Sequence, residues 1–352
     1  MSLFEKLGLF ALRRINPERA HMIAIKALEL GLTKTRKPFT SDRLHTEIAG
    51  LKLANPIGLA AGFDKNAQAL FGLAKSGFGF IEVGAATPLP QLGNRKPRLF
   101  RLSQDQAVIN RFGFNNDGIE LIAKRLSNRP KNMVTGLNLG ANKNNLDRSA
   151  DFAKVLIQCA PYVNFATVNV SSPNTEKLRD FQSRELLSAL LDIIMDTRSM
   201  LKMPIPIFLK IAPDLNKAAL EDITEIAICH KIDAIIATNT TLERKLLHSK
   251  YRNQAGGLSG KPLFDISTRI LAQMAKLLDG KIPLIGVGGI SSAKDAYDKI
   301  CAGASAVQLY TALIYNGMSL PGHISRELDS LLEHNGHSKI SQAVGSKIER
   351  WL

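Results

Sequence analysis

Short apolar segments rich in β-branched residues recur along the chain, and each ends in small or polar residues. Eight such segments cover residues 56–62, 80–87, 135–142, 165–174, 206–214, 234–241, 283–290 and 306–312. Between most of them apolar residues repeat at helical spacing, as in 184–201, 220–230, 266–278 and 293–302. Alternating strands and helices predict a parallel sheet, and eight units predict an α/β fold of the closed (β/α)₈ or TIM barrel type.

An open, doubly wound sheet is the alternative fold. Such a sheet normally carries a G-x-G-x-x-G turn after its first strand, whereas the first strand here runs into A-A-G-F-D-K. Two connections, 88–134 and 242–282, are longer than a βα unit needs. Because long connections in compact domains are often functional, we expect both to lie over the barrel mouth.

The first 37 residues have a different pattern, with two apolar stripes at helical spacing. The stripes are Leu3, Phe4, Leu7, Phe10 and Ala11, then Ala20, Ile23, Ala24, Ala27 and Leu28. We therefore expect residues 1–37 to form an N-terminal amphipathic helical extension and 38–352 to form the barrel domain. Eight basic and three acidic residues leave the extension with a charge of +5. Such helices suit an anionic membrane surface, and a helical pair packed on the barrel with solvated charges is the other interpretation.

The whole chain of 352 residues has a net charge of +15, so nucleic acid, anionic lipid and acidic metabolites are all conceivable partners. The three cysteines, Cys159, Cys229 and Cys301, form neither a disulfide framework nor a metal-ligand pattern. No apolar segment is long enough for a membrane span, and no signal peptide is evident. We expect the chain to remain on the cytoplasmic side, without a metal.

The predicted strand ends are unusually polar. They carry Asp64, Lys65, Thr87, Asn138, Asn142, Asn169, Ser171, Ser172, Asn174, Lys210, Asp214, Thr238, Asn239, Thr240, Gly288, Gly289, Tyr310 and Thr311. A single Asn or Thr is usually a turn or cap residue, but five of these residues are asparagines. Amides can bind a planar, amide-bearing ring through donors and acceptors together.

Glycines and lysines at the strand ends add an anion site and a cation. G-V-G-G-I (286–290) and Q-L-Y-T (308–311) lie at the usual phosphate position of this fold, and G-G-L-S-G (256–260) offers further donors. Lys210 alternates with apolar neighbours and should point into the lumen, where it would stabilise negative charge on a reduced flavin or an enolate. Lys65 either pairs with Asp64 or contacts a ligand.

General bases are scarce at these strand ends. Glu82, His230 and His248 are more simply structural or solvated, which leaves the hydroxyls of Ser171 and Ser172.

Taken together, the strand ends resemble the dihydroorotate dehydrogenase family, specifically its membrane-associated, quinone-linked class. The matching stretches are A-N-P-I-G-L-A-A-G-F-D-K (54–65), G-N-R-K-P-R-L-F-R-L (93–102), N-R-F-G-F-N-N (110–116), N-V-S-S-P-N-T (169–175), L-K-I-A-P-D-L (209–215), A-T-N-T-T (237–241), G-G-L-S-G-K-P-L (256–263) and I-G-V-G-G-I (285–290). Their number and order make the resemblance specific, although any one of them would be weak.

The resemblance implies oxidation of (S)-dihydroorotate to orotate in pyrimidine biosynthesis, with FMN as hydride acceptor and a membrane quinone as final acceptor. It assigns FMN to Ala61, Gly62, Phe63, Asp64, Lys65, Ala85, Asn138, Asn169, Lys210, Thr238, Gly260, Gly289, Tyr310 and Thr311. It assigns the substrate to Lys65, Asn110, Arg111, Phe112, Gly113, Phe114, Asn169, Asn174, Asn239 and Thr240. Ser172 would be the general base for the C5 proton, while cytosolic relatives have cysteine there. His21, within a P-E-x-A-H pattern at 17–21, and Arg101 would line the quinone tunnel.

Two positions depart from the family pattern, since Ala85 stands for a usual threonine and Phe112 for a usual methionine. The resemblance further implies a peripheral membrane enzyme on the cytoplasmic side, with no nucleic acid and no required partner subunit. A phosphate-binding barrel isomerase or lyase is the competing enzyme, and a non-catalytic basic protein that binds membranes or nucleic acid is the competing class.

Overall fold

The computed structural model describes residues 2–32, 39–175 and 178–352. In chain order the strands are β1 (Thr46–Ile48), β2 (Leu51–Leu53), β3 (Ile57–Leu59), β4 (Phe80–Ala86), β5 (Leu99–Leu102), β6 (Ala107–Asn110), β7 (Val134–Leu139), β8 (Phe165–Asn169), β9 (Ile207–Ile211), β10 (Ala234–Ala237), β11 (Gly257–Gly260), β12 (Leu284–Val287) and β13 (Ala304–Leu309).

The helices lie mostly between these strands. They are α1 (Leu3–Leu12), α2 (Pro17–Glu29), α3 (Leu70–Ala74), α4 (Ile119–Ser127), α5 (Arg148–Cys159), α6 (Arg184–Ser199), α7 (Lys217–Cys229), α8 (Phe264–Leu278), α9 (Ala293–Cys301), α10 (Thr311–Asn316) and α11 (Leu320–His334). Single 3₁₀ turns cover Ala160–Tyr162, Arg179–Gln182, Lys261–Leu263, Ile340–Gln342 and Ile348–Trp351.

Eight parallel strands close into a barrel in the order β3-β4-β7-β8-β9-β10-β12-β13, and β13 pairs with β3. All eight strands predicted from the apolar segments are present, so the predicted TIM barrel is confirmed. Each strand is shorter than its apolar segment, because the last residues of every segment leave the ladder and form the barrel mouth. Those departing residues are the polar ones that bear on function.

Aromatic rings fill the closed end of the lumen. Phe80, Phe165 and Phe208 are buried there, and the last two stack with ring centroids 4.5 Å apart. Gly58 faces them, and a Cβ at this position would lie only 2.3 Å from the Phe80 ring. The hairpin β1-β2, which the sequence pattern did not predict, packs Ile48 and other apolar residues against this cluster. The lumen is therefore solid at this end and open only at the mouth.

The two long connections lie over the mouth, as predicted, but they contain strands that were not predicted. β5 and β6 from the first connection and β11 from the second form an antiparallel three-stranded sheet. Gly257 pairs with Asn110, and Gly260 pairs with Ala107. This sheet brings two segments far apart in sequence to one wall of the mouth.

Two helices precede the barrel, as predicted. α2 buries Ala20, Ile25 and Leu28, whereas no residue of α1 is buried. The predicted apolar stripe of α2 was wrong at Ile23, which is 52% exposed while Ile25 faces the core. The pattern could not separate the two because both lie near the edge of the apolar face. The expected boundary between residues 37 and 38 lies outside the described residues.

The tail beyond Gly336 packs on the outside of the barrel. Ile340 donates its N–H to the Arg43 carbonyl, and Trp351 stands edge-on against the Phe264 ring at 5.9 Å. Within the described part of the chain, no helix combines the length and apolar character that a bilayer crossing requires.

Candidate active site

A cavity opens at the carboxyl ends of the barrel strands, and most of the predicted site residues line it. The predicted residues in its wall are Ala61, Gly62, Lys65, Ala85, Asn110, Phe112, Gly113, Phe114, Asn138, Asn169, Ser172, Asn174, Lys210, Thr238, Asn239, Thr240, Gly260, Gly289, Tyr310 and Thr311. They come from all eight barrel strands and from the sheet over the mouth. We call this space the polar cavity.

Three of the residues assigned to FMN or to the substrate lie outside the wall of the polar cavity. The buried carboxylate of Asp64 accepts backbone N–H groups of Gln68 and Ala69 at 2.9 and 2.7 Å, which holds the turn before α3. Arg111 donates to Gln254 Oε1 and to the Ala255 carbonyl, each at 3.0 Å. These contacts give both residues a structural role.

Phe63 is the third of these residues, and it faces a different space. Its ring stands edge-on to His21 and to Tyr310, with centroids 5.3 and 5.5 Å away. Phe63 thus lies between the N-terminal helices and the barrel mouth.

A one-way chain of amide hydrogen bonds crosses the floor of the polar cavity. Asn138 Nδ2 donates to Glu82 Oε1 at 2.7 Å, and Asn169 Nδ2 donates to Asn138 Oδ1 at 2.8 Å. Asn239 Nδ2 continues the chain to Asn169 Oδ1 at 3.3 Å. Since a carboxylate only accepts, Glu82 sets the direction in which each amide points.

Glu82 was expected to be structural or solvated, and Gln308 was considered only as part of the Q-L-Y-T segment at 308–311. Glu82 is fully buried, and its second oxygen accepts the Gln308 Nε2–H at 2.7 Å. The available signal was a carboxylate at an inward position of an otherwise apolar strand, because such a group must find donors in the lumen.

Lys210 points into the lumen as its position in the strand predicted. It is 5% exposed and lines the polar cavity, and its Nζ forms no hydrogen bond with the described residues. Burial lowers the pKa of its ammonium, and the Glu82 carboxylate opposes that shift. The cavity therefore contains a lysine side chain whose donors face open space.

Lys65 is not paired with Asp64. Its Nζ donates to the Gly62 carbonyl at 2.7 Å and lies 4.2 Å from the centre of the Phe112 ring. Burial, together with the nearby Arg98 cation, lowers the pKa of Lys65 to about 8. Lys65 therefore remains a cation at neutral pH, and it lines the cavity.

Ser172 follows β8 and is nearly buried in the cavity wall. Its Oγ accepts the Asn174 N–H at 3.3 Å, and Asn174 Nδ2 donates to Asn110 Oδ1 at 3.2 Å. These two bonds connect the loop after β8 to the sheet over the mouth.

Arg179, which was not identified from the sequence, clamps the same loop. It donates to the carbonyls of Ser171 and Thr240 at 3.1 and 2.9 Å and pairs with Asp214 at 2.8 Å. No sequence pattern near Arg179 indicates that it joins these loops, because its partners follow three different strands.

The turn after β12 forms a glycine-lined corner of the polar cavity. Gly289 has φ +75°, and a Cβ there would lie 2.5 Å from Phe264 Cβ. Thr311 Oγ1 donates to Ser259 Oγ at 2.8 Å across this corner. Glycine is required at 289 for both conformation and space, and the backbone is left free to approach an anion.

A second cavity of about 480 Å³ lies between the N-terminal helices and the mouth. Its wall is mostly apolar and includes His21, Arg101, Phe63 and Tyr310. Tyr310 lines both cavities, as do Leu99, Val108 and Ile314. We call this space the apolar cavity, and the two cavities are neighbours across Tyr310.

The two predicted tunnel residues, His21 and Arg101, differ in charge and in their contacts. Burial and the Lys65 charge lower the pKa of His21 to about 3, so its ring is neutral. Arg101 donates to the Arg13 and Leu12 carbonyls at 2.6 and 3.4 Å, which fixes the end of α1 over the apolar cavity.

Comparisons with known proteins point to one family. A family model described as dihydroorotate dehydrogenase matches residues 43–332. A Cereibacter sphaeroides protein named dihydroorotate dehydrogenase (quinone) is 56% identical over 353 residues, covering 100% of both chains. This chain belongs to the dihydroorotate dehydrogenase family. A relative of the same name from Agrobacterium fabrum is 44% identical over 99% of this chain and 98% of its own.

Solved dihydroorotate dehydrogenase structures have the same fold. A crystal structure from Eimeria tenella, in complex with ferulenol, superposes with a TM-score of 0.91 at 35% identity. The superposition covers 96% of this chain and 98% of the other. The isomerase or lyase and the non-catalytic binding protein are therefore set aside.

Both departures from the usual dihydroorotate dehydrogenase pattern line the polar cavity. Ala85 contributes a methyl group where the resemblance leads one to expect a hydroxyl. The Phe112 ring makes a cation–π contact with the Lys65 ammonium. Across the described ranges, His, Cys, Asp and Glu side chains form no group of three that could hold a metal ion.

Proposed function

We propose that the chain oxidises (S)-dihydroorotate to orotate in pyrimidine biosynthesis, with FMN in the polar cavity and a quinone as the final acceptor. Family membership and the name shared by its relatives support the reaction. The observation that carries the proposal is the contact of a polar and an apolar cavity across Tyr310. Water-soluble and lipid-soluble substrates can then reach opposite sides of one bound cofactor.

The residues of the polar cavity fit FMN. Lys210 offers unused donors beside a row of oriented amides, as an amide-bearing ring requires. The corner at Gly289 admits no Cβ, and it suits a phosphate group. When bound, FMN would supply the two-electron redox chemistry that links the substrate to the quinone.

The chain itself contributes binding, orientation and proton removal. Lys65 would bind the substrate carboxylate, while Asn110, Asn169, Asn174, Asn239 and Thr240 would hold the pyrimidine ring. The 112–114 segment would exclude water from the mouth. Ser172 would take the C5 proton, and Arg179 would position its loop.

The apolar cavity is the proposed quinone path. An amphiphilic quinone needs an apolar route between lipid and cofactor, and the N-terminal segment 2–32, which contains α1 and α2, supplies most of this wall. We accordingly assign residues 1–37 to the quinone side and 38–352 to the FMN-binding catalytic domain. His21 and Arg101 would contact the quinone head group.

We further propose peripheral attachment to the cytoplasmic face of the membrane. Leu3, Phe4, Leu7 and Phe10 of α1 are each more than half exposed, and the cations Lys6 and Arg14 lie beside them. Apolar side chains would enter the interface and the cations would meet anionic headgroups.

Anaerobic half-reactions test the proposal. The purified full chain should release FMN on denaturation, lose flavin absorbance with dihydroorotate, and regain it with a soluble ubiquinone analogue. Lys210→Met should retain less FMN than Lys202→Met, an exposed control. Protein that carries no flavin, or flavin that dihydroorotate does not reduce, would refute the proposal.

A further inference from the structure

Lys299 on α9 is a fully buried cation that the proposed mechanism does not use. Its Nζ donates to Ser267 Oγ at 2.8 Å and to Thr268 Oγ1 at 2.9 Å, both on α8. It also lies 5.0 Å from the centre of the Phe264 ring. These partners are neutral, and a buried ammonium without a carboxylate in contact is costly.

The two hydroxyls do not need Lys299 for their own hydrogen bonds. Thr268 Oγ1 donates to the Phe264 carbonyl at 2.6 Å, and Ser267 Oγ can donate to the same carbonyl at 3.1 Å. An apolar side chain at 299 would therefore leave no hydroxyl proton unpaired. Packing alone does not account for a cation here.

The Ser267 hydroxyl connects Lys299 to the glycine-lined corner of the polar cavity. The Ser267 Oγ proton has a second acceptor, the Gly288 carbonyl, at 3.4 Å. The Gly288–Gly289 peptide is trans, so its C=O and N–H point to opposite sides. With the carbonyl turned toward Ser267, the Gly289 N–H is directed toward the cavity, and no described residue accepts it.

We propose that Lys299 is a positioning residue that makes this corner an anion site, acting on the phosphate of FMN through Ser267 and the Gly288–Gly289 peptide. When Ser267 Oγ donates to the Gly288 carbonyl, the ammonium, hydroxyl and peptide dipoles align in one direction, and such alignment strengthens the terminal donor. This inference rests on the proposed FMN site. It adds that Lys299 provides the positive charge behind the corner that would bind the phosphate.

Protonation of Lys299 should then be coupled to phosphate binding. Burial lowers the pKa of Lys299 to about 7 in the free protein, while Asp295 on α9 and Asp265 on α8 oppose the shift. A bound dianion raises that pKa, so the phosphate-dependent affinity is complete below pH 7 and declines as pH rises. The second pKa of a phosphate monoester is about 6, so the phosphate itself stays a dianion over this range.

The test compares FMN with riboflavin, which has the same ring and no phosphate. The full chain, stripped of flavin, is titrated with each between pH 7 and 9. The ratio of FMN to riboflavin affinity should fall by about tenfold in the native chain. Using the ratio cancels the titration of Lys65 and Lys210, which face the ring.

Lys299→Met should reduce the ratio at pH 7 by about tenfold and remove its pH dependence, with riboflavin affinity unchanged. Lys294→Met, on the exposed side of the same helix, is the matched control and should behave as the native chain. A native ratio that is constant from pH 7 to 9, or a Lys299→Met protein with the native ratio, overturns the inference. If Lys299→Met does not fold, the native ratio still decides, and absence of FMN binding would instead refute the proposed cofactor.

Discussion

At the scale of single residues, the site contains buried ionisable side chains, and neither of its two lysines forms a salt bridge with a described residue. Lys65 and Lys210 face one cavity, and burial lowers the pKa of each. Glu82 supports Lys210 from a distance and orients the amides by contact. A site of this kind is prepared for an anionic ligand, because the charges are already desolvated before the ligand arrives.

Ser172→Ala should slow flavin reduction by dihydroorotate by about 10²–10⁴-fold, since positioned general-base catalysis is typically worth that much. Stopped-flow absorbance under anaerobic conditions measures the step. Reoxidation of the same variant by a quinone analogue is the internal control and should keep its native rate. Native flavin reduction in the variant would remove Ser172 from the mechanism.

Lys65 should impose an alkaline limit on substrate binding. The ammonium is charged below its pKa of about 8 and neutral above it, so the apparent Kd for dihydroorotate should rise as pH increases beyond 8. Flavin-reduction rates over a range of substrate concentrations, taken between pH 6.5 and 9.5, give this Kd. Lys65→Arg keeps the charge and should move the limit upward, whereas an unmoved limit assigns the titration to another group.

At the scale of elements, α2 joins the N-terminal extension to the barrel. Leu28 packs so closely on α3 that a Cβ at Gly72 would lie 2.4 Å from the Leu28 carbonyl oxygen. On the same helix, Ala24, Ala27 and Leu28 itself line the apolar cavity. One helix thus anchors the extension and lines the proposed quinone path, while α1 covers it.

Ala24→Phe should fill part of the apolar cavity and lower the rate of quinone reduction severalfold, with flavin reduction by dihydroorotate unchanged. Ile23→Phe places the same ring on the exposed side of α2 and should leave both half-reactions intact. The two half-reactions are measured separately on each variant. Equal loss of both in Ala24→Phe would mean that the helix only supports the fold.

At the scale of the whole molecule, the barrel separates its two ends by function. The closed end holds the stacked rings of Phe165 and Phe208, and the open end holds the polar cavity. The proposed membrane-binding surface on α1 lies beside the open end, while the net charge of +15 is spread over the whole chain. Local placement and total charge therefore make different predictions for membrane binding.

Reversing two charges, one on α1 and one just after it, with Lys6→Glu and Arg14→Glu, should weaken binding to vesicles containing anionic lipid by about tenfold or more. The same net change at Lys52 and Lys202, near the closed end, should have little effect. Sedimentation with vesicles at about 0.05 and 0.3 M salt measures both, and native binding should weaken with salt. Equal losses for the two pairs would attribute binding to net charge alone.

The sequence by itself determined the barrel and most of the cavity wall. Strand alternation is a local property, so it placed Lys210 in the lumen and the asparagines at the mouth without knowledge of their partners. Tertiary structure decided which groups meet. Asp64 holds a backbone turn rather than Lys65, Arg179 joins three loops, and Ser267 connects Lys299 to Gly288. The sheet β5-β6-β11 likewise pairs Asn110 with Gly257. Apart from the Asp64 turn, these contacts join segments that follow different strands. Local periodicity carries no information about them, because they exist only once the barrel has closed.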